Sequence, residues 1–148
     1  ADAPPRLIAG LRSALPRSVI VRTLVYLAGP AVNLVLWQSL QFLAVEAVGT
    51  GKFALVQALA TLSIANFWLM AFNLLPAYPL DGGHTLDAWL HALFGPVWST
   101  RVVAVLGLVV CAGLVYMALP RDFWLLLLAL VLFQTNWAAF DSVAGRRR

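Results

Sequence analysis

Asn73-Leu74-Leu75-Pro76-Ala77-Tyr78-Pro79-Leu80-Asp81-Gly82-Gly83 is where a long apolar run meets its first charge. The run from Phe53 to Leu80 holds 28 residues and no charged side chain. About 20 apolar residues cross roughly 30 Å of hydrocarbon as a helix, so this run is long enough to span a membrane. Its end cannot stay helical. Pro76 removes a backbone donor and disrupts the turn ahead of it, and Pro79 blocks an easy return to helix. Gly82 and Gly83 permit backbone geometry that other residues resist. A carboxylate at such a place is costly unless it is paired, metal-bound or at a water-filled cavity. Irregular backbone at membrane depth is tolerated only inside protein or along water. Asn66 and Asn73 are seven residues apart and share a helix face, with Asn73 one turn before the break. The competing reading is a helix end and a turn at the interface, because Asn, Pro, Asp and Gly also compose ordinary turns.

The rest of the chain has the same character. Its 148 residues are 62% hydrophobic and 11% charged, against roughly 25% charged in an average soluble domain. The mean hydropathy is +0.88. Uncharged runs cover about 23–45, 53–80, 102–120 and 123–140. They are expected to be helices, because an open sheet would leave backbone groups unpaired in lipid. Gly49-Thr50-Gly51-Lys52 and Leu119-Pro120-Arg121-Asp122 are tight turns, so the runs pair as antiparallel hairpins. The longer connection carries Leu86, Trp89, Leu90, Leu93 and Phe94, which suit a short interfacial helix ended by Gly95-Pro96. The expected fold is therefore an all-α polytopic membrane protein. It has four transmembrane helices in two antiparallel hairpins plus short interfacial helices, and the second transmembrane helix is broken at the Asn-Pro-Asp-Gly motif. Residues 1–22 read as a basic interfacial lead-in, 23–140 as the transmembrane domain and 141–148 as a basic cytoplasmic tail.

Charge sets the orientation. Arg6, Arg12, Arg17, Arg22, Arg101, Arg146, Arg147 and Arg148 fall on one side, and Lys52 and Arg121 on the other. That bias puts both termini in the cytoplasm and Asp81 toward the cytoplasmic end of the second span of a multi-pass cell-membrane protein. The net charge of +4 is thus an orientation signal, and no nucleic-acid footprint is expected. Cys111 is the single cysteine, so neither a disulfide framework nor a cysteine zinc site can form within the chain. Trp98, Trp124 and Trp137 fall near span ends, as an aromatic belt would place them. Trp68 is mid-span and is expected to pack between helices. Gly107 and Gly113, with Ala112, are expected to permit close helix contact, and Asn33 to make a packing hydrogen bond.

NLLPAYPLDGGH resembles the second signature, NxxPxxxLDG, of the site-2 protease family of intramembrane zinc metalloproteases (peptidase family M50). It fits that signature at every fixed position. Ala28-Gly29-Pro30-Ala31-Val32-Asn33-Leu34 resembles the GPxxN stretch that opens the preceding core helix in many members. The resemblance covers about residues 20–140 and implies the C-terminal part of the family's core. It implies that Asp81 is the third ligand of a catalytic zinc ion and that Asn73 positions the substrate or stabilises the tetrahedral intermediate. Pro76, Pro79, Gly82 and Gly83 would shape the site. The family's other two ligands come from an HExxH helix, which this chain lacks. His84 and His91 are its only histidines, about 10 Å apart along a helix. The missing start methionine favours a piece of a longer protein. Histidines supplied by a partner chain, or a non-catalytic relative, would also account for the missing ligands.

His84, Asp87 and His91 fall on one face of a short helix, with Asp87 and His91 spaced to share a metal. The simpler reading has them facing lipid headgroups, since no third good ligand is near. The implied function is hydrolysis of peptide bonds in or next to transmembrane segments of a membrane-protein substrate. The alternative is a catalytically inactive scaffold that binds transmembrane segments. The weakest reading is a transporter fragment whose broken helix holds an ion.

Overall fold

The computed structural model describes residues 5–118 and 123–145, with side chains from residue 19 onward. Residues 1–4, the side chains of residues 5–18 in the lead-in, the expected turn at 119–122 and the terminal arginines 146–148 lie outside the described residues. Among the described residues five helices follow one another: α1 (Pro5–Val48), α2 (Phe53–Asn73), α3 (Asp81–Phe94), α4 (Pro96–Ala118) and α5 (Phe123–Ala144). No strand occurs among the described residues. The expected all-helical polytopic fold is the one observed.

Among the described residues, four segments are long and apolar enough to cross a membrane: Val19–Val48, Phe53–Asn73, Pro96–Ala118 and Phe123–Ala144. Only 6% of the α2 span and 33% of the α4 span are buried within the protein. Large apolar side chains such as Phe42, Phe53, Val109 and Trp124 point outward and are more than 60% exposed. A helix that is apolar all round and mostly uncovered needs lipid as its solvent. The chain is a multi-pass membrane protein.

The first hairpin closes through Thr50, whose hydroxyl donates to the Ala47 carbonyl at 2.7 Å, and Gly51 takes a positive φ of 70°. Between its arms, the buried Ser63 hydroxyl contacts the Trp37 carbonyl and the Gln41 side-chain carbonyl, each at 3.1 Å. Such a hydroxyl link replaces the hydrophobic drive that lipid cannot supply. The second hairpin packs Cys111 and Leu114 of α4 on Ala129 and Leu132 of α5, and Phe72 and Leu80 join this cluster. Buried positions Ser99, Val103, Gly107, Cys111, Leu114 and Ala118 recur every three or four residues along α4, which makes one seam.

α3 packs on both α1 and α4 and ties the hairpins together. It ends where expected. The Gly95 N–H donates to His91 O at 3.0 Å, Gly95 has φ +82°, and Pro96 opens α4, where its missing N–H costs nothing.

Three packing expectations are corrected. Trp68 is 54% exposed and lines an open apolar cleft of about 480 Å³ with Phe72, Leu75, Leu114 and Met117. Its indole meets Phe67 and Phe72 of its own helix instead of being enclosed between helices. A Cβ added at Gly113 meets nothing within 4 Å, because the seam of α4 faces the other way. Asn33 makes no hydrogen bond to a described residue.

Candidate functional site

α2 stops at Asn73 because Pro76 follows. The proline ring would strike the carbonyl of residue 72 in a continued helix, and it pushes Leu75 out of the helical region. The chain then winds through its own turns: Leu75 N–H donates to Phe72 O at 3.0 Å, Ala77 N–H to Leu75 O at 2.9 Å, and Leu80 N–H to Ala77 O at 2.9 Å. Pro76 and Pro79 have no N–H to satisfy. The Tyr78–Pro79 peptide is cis, and Ala77 is fully buried.

Asp81 is the first residue of α3, after Leu80 in an extended conformation. A carboxylate there lies at the positive end of the helix dipole. Gly29 of α1 faces it: a Cβ on Gly29 would stand 3.4 Å from Asp81 Oδ2. Along α1, Gly29 is about 10 Å from Arg22 and about 28 Å from Val48. Asp81 therefore lies roughly two helical turns in from the arginine-bearing end. Pro30, next to Gly29, is buried and cannot donate to the Tyr26 carbonyl one turn back.

The two glycines after Asp81 have a steric reason. A Cβ on Gly82 would collide with the Leu74 carbonyl, and one on Gly83 with the Ala77 carbonyl. The first turn of α3 lies directly against the loop that precedes it, and only hydrogen fits between. Sequence reading places Pro76, Pro79, Gly82 and Gly83 around Asp81, and the structure brings all of them to this junction.

His84 is held by aromatic rings. It stacks on Tyr26 with centroids 5.1 Å apart and meets Tyr78 edge-on at 5.3 Å. Farther along α3, Trp89 Nε1 donates to Thr23 Oγ1 at 3.0 Å. The Tyr78 hydroxyl lies beside Asp87 and Thr100, while His91 is exposed. Among the described residues no three His, Cys, Asp or Glu side chains gather closely enough to hold a metal. His84, Asp87 and His91 are thus not brought together.

The asparagines behave differently from one another. Asn66 turns its amide back to Leu62 O of its own helix at 2.8 Å. Asn73 is half-buried and makes no hydrogen bond to a described residue. Asn136, which sequence reading passes over, is fully buried in α5. Its Oδ1 accepts from Tyr78 N–H at 3.1 Å, and its Nδ2 donates to Tyr78 O at 2.8 Å and to Leu132 O at 2.7 Å. Gly107 leaves the space that this amide fills, since a Cβ there would overlap it. The signal was present in the sequence. Asn136 is a polar residue inside the apolar run from Phe123 to Phe140, where an amide needs a partner.

Comparison with known proteins bears on this geometry. The sequence profile of peptidase family M50 matches residues 41–117. A zinc metalloprotease of Methanocaldococcus jannaschii is 47% identical over 49 residues, covering 33% of this chain and 14% of that protein. A Mycobacterium tuberculosis protein named as a putative zinc metalloprotease, Rip3, is 38% identical over 86 residues, covering 52% of this chain and 22% of its own. The chain spans less than a quarter of the length of these relatives. No solved structure matches it.

Proposed function

The chain belongs to peptidase family M50, and from that premise we propose that it is part of a site-2-protease-like intramembrane zinc metalloprotease. The whole protein hydrolyses peptide bonds in or next to transmembrane segments, and this chain supplies the aspartate ligand of the metal. The observation that carries the reading is the setting of Asp81: a carboxylate at a helix N-terminus, opposed by a glycine, at the end of a broken apolar span.

The residues present fit one corner of a zinc site. Zinc takes carboxylate oxygen at about 2.0–2.2 Å and keeps an open position in catalytic sites. Gly29 leaves no side chain in front of Asp81 Oδ2. The remaining ligands come from outside the described residues. When bound, zinc lowers the pKa of its water to about 7 and polarises the peptide carbonyl.

The chain's own residues have three tasks. Asp81 presents its charge from a fixed turn. Asn73, at the end of α2, donates from its amide to the substrate carbonyl oxygen. The broken backbone at 74–80 receives the substrate as an extended strand, since a helical substrate must unwind to expose the scissile bond. The substrate is a transmembrane protein or peptide in the same bilayer. The arginine bias puts both termini and the Asp81 end on the cytoplasmic side of the cell membrane.

The test is cleavage of a reconstituted transmembrane substrate by the full-length protein. Cleavage is expected to stop when zinc is chelated and to return when zinc is restored. Binding of the transmembrane segment without cleavage, in protein loaded with zinc, would replace this reading with the scaffold. Asn73→Ala is expected to lower kcat by about 100-fold, the scale for losing one oxyanion donor, with zinc content unchanged. Unaltered kcat would remove Asn73 from the mechanism.

A further inference from the structure

We propose that Asn136 is a positioning residue for Asp81, acting from a different transmembrane helix through the backbone of Tyr78. The inference rests on the reading of Asp81 as a metal ligand. Its ground is the double hydrogen bond between one side-chain amide and one backbone residue. Oδ1 accepts from Tyr78 N–H and Nδ2 donates to Tyr78 O, the exchange that paired residues make across an antiparallel sheet. The amide stands in for a neighbouring strand and satisfies both polar groups of a residue that has no helix to satisfy them.

Asn136 differs from several other polar side chains in the spans. Asn66, Thr61 and Thr135 each return their polar atoms to their own helix. Asn136 spends one N–H on its own helix, at Leu132 O, and everything else on Tyr78. With Leu132 O as the fixed third point, the amide plane has one orientation. Gly107 of α4 gives it room, so three elements meet at this side chain: α4, α5 and the loop.

The path to Asp81 is short and stiff. Ala77, before Tyr78, accepts from Leu80 N–H at 2.9 Å, and Leu80 O accepts from His84 N–H at 3.1 Å. Ala77 also bears directly on Gly83. Tyr78 is thus coupled to the first turn of α3 from both sides, and that turn aims the Asp81 carboxylate. Partners behind a metal ligand typically govern metal affinity or activity by about 10–100-fold.

The test uses the full-length protein with Asn136→Leu, Asn136→Asp and, in parallel, Asp81→Asn. Leucine keeps the branched outline and suits an apolar surround, but it is bulkier and makes no hydrogen bond. Aspartate keeps the size and an acceptor for Tyr78 N–H and lacks both donors. Asn136→Leu is expected to weaken zinc binding by about 10–100-fold, lower kcat with KM little changed, and shift the visible bands of the cobalt-substituted protein. Asn136→Asp is expected to show the same signature, and it decides the matter if the leucine variant is not recovered folded.

A merely structural role would lower thermal stability and leave the cobalt spectrum and kcat of the folded fraction as in the wild type. That result would overturn the proposal. If Asp81→Asn loses metal and cleavage while the Asn136 variants keep both, this inference alone fails. If Asp81→Asn keeps both, the reading of Asp81 fails and takes the inference with it.

Discussion

Replacing Asp81 by asparagine in the full-length protein is expected to strip zinc and abolish cleavage while leaving the fold intact. The two side chains have the same shape, and Gly29 is the near neighbour of Oδ2. Nothing needs to repack. What changes is charge: a carboxylate is a good ligand for a hard or borderline cation, and a neutral amide is a poor one. The loss should exceed the about 10–100-fold that removing an outer partner costs, because here a direct ligand goes. Zinc content by elemental analysis and cleavage of a transmembrane substrate read the two effects separately. Protein that keeps zinc at wild-type stoichiometry and still cleaves would exclude Asp81 as a ligand.

Gly83→Ala is expected to lower stability markedly. Helix propensity alone would make the change favourable by about 1 kcal/mol, since Gly83 is inside α3. Packing reverses the sign. The new Cβ would land on the Ala77 backbone, and a carbonyl held by the Leu80 N–H has no rotamer with which to retreat. Overpacking of this kind costs about 1–3 kcal/mol, and this site belongs at the upper end. Gly113→Ala is the control, because that position meets nothing within 4 Å and gains only the propensity. Thermal unfolding in detergent should rank the variants Gly113→Ala, wild type, Gly83→Ala, from most to least stable. Equal midpoints for Gly83→Ala and wild type would mean that α3 and the loop are not in contact.

The transmembrane helices were legible because lipid imposes one rule on the whole surface. Uncharged runs of the right length, punctuated by Gly51, Pro76 and Gly95, are enough to read the hairpins, the break and the short third helix. Asp81 was legible for the same reason: a lone carboxylate beside two prolines and two glycines stands out in an apolar chain. What the sequence hid is side-chain direction. Trp68 turns out toward the cleft and not between helices, and the choice depends on how far apart the hairpins stand.

Asn136 escapes sequence reading for a related reason. Its importance lies in a contact with Tyr78, 58 positions away in the chain, and periodicity carries no information about such pairs. Gly107 is recognisable as a close-contact glycine, but its partner is an amide and not a helix backbone. Near Asp81, the steric role of Gly82 and Gly83 differs from the conformational freedom expected of them. Neither has a positive φ; they are glycine because carbonyl groups lie where a Cβ would be.

The central claim is that Asp81 holds zinc at the broken end of α2. A structure of the full-length protein with anomalous scattering measured at the zinc edge tests it most directly. The account predicts a single strong peak about 2.0–2.2 Å from an Asp81 carboxylate oxygen, on the side facing Gly29. A zinc peak elsewhere in the protein, with Asp81 bound only to protein or water, would contradict it.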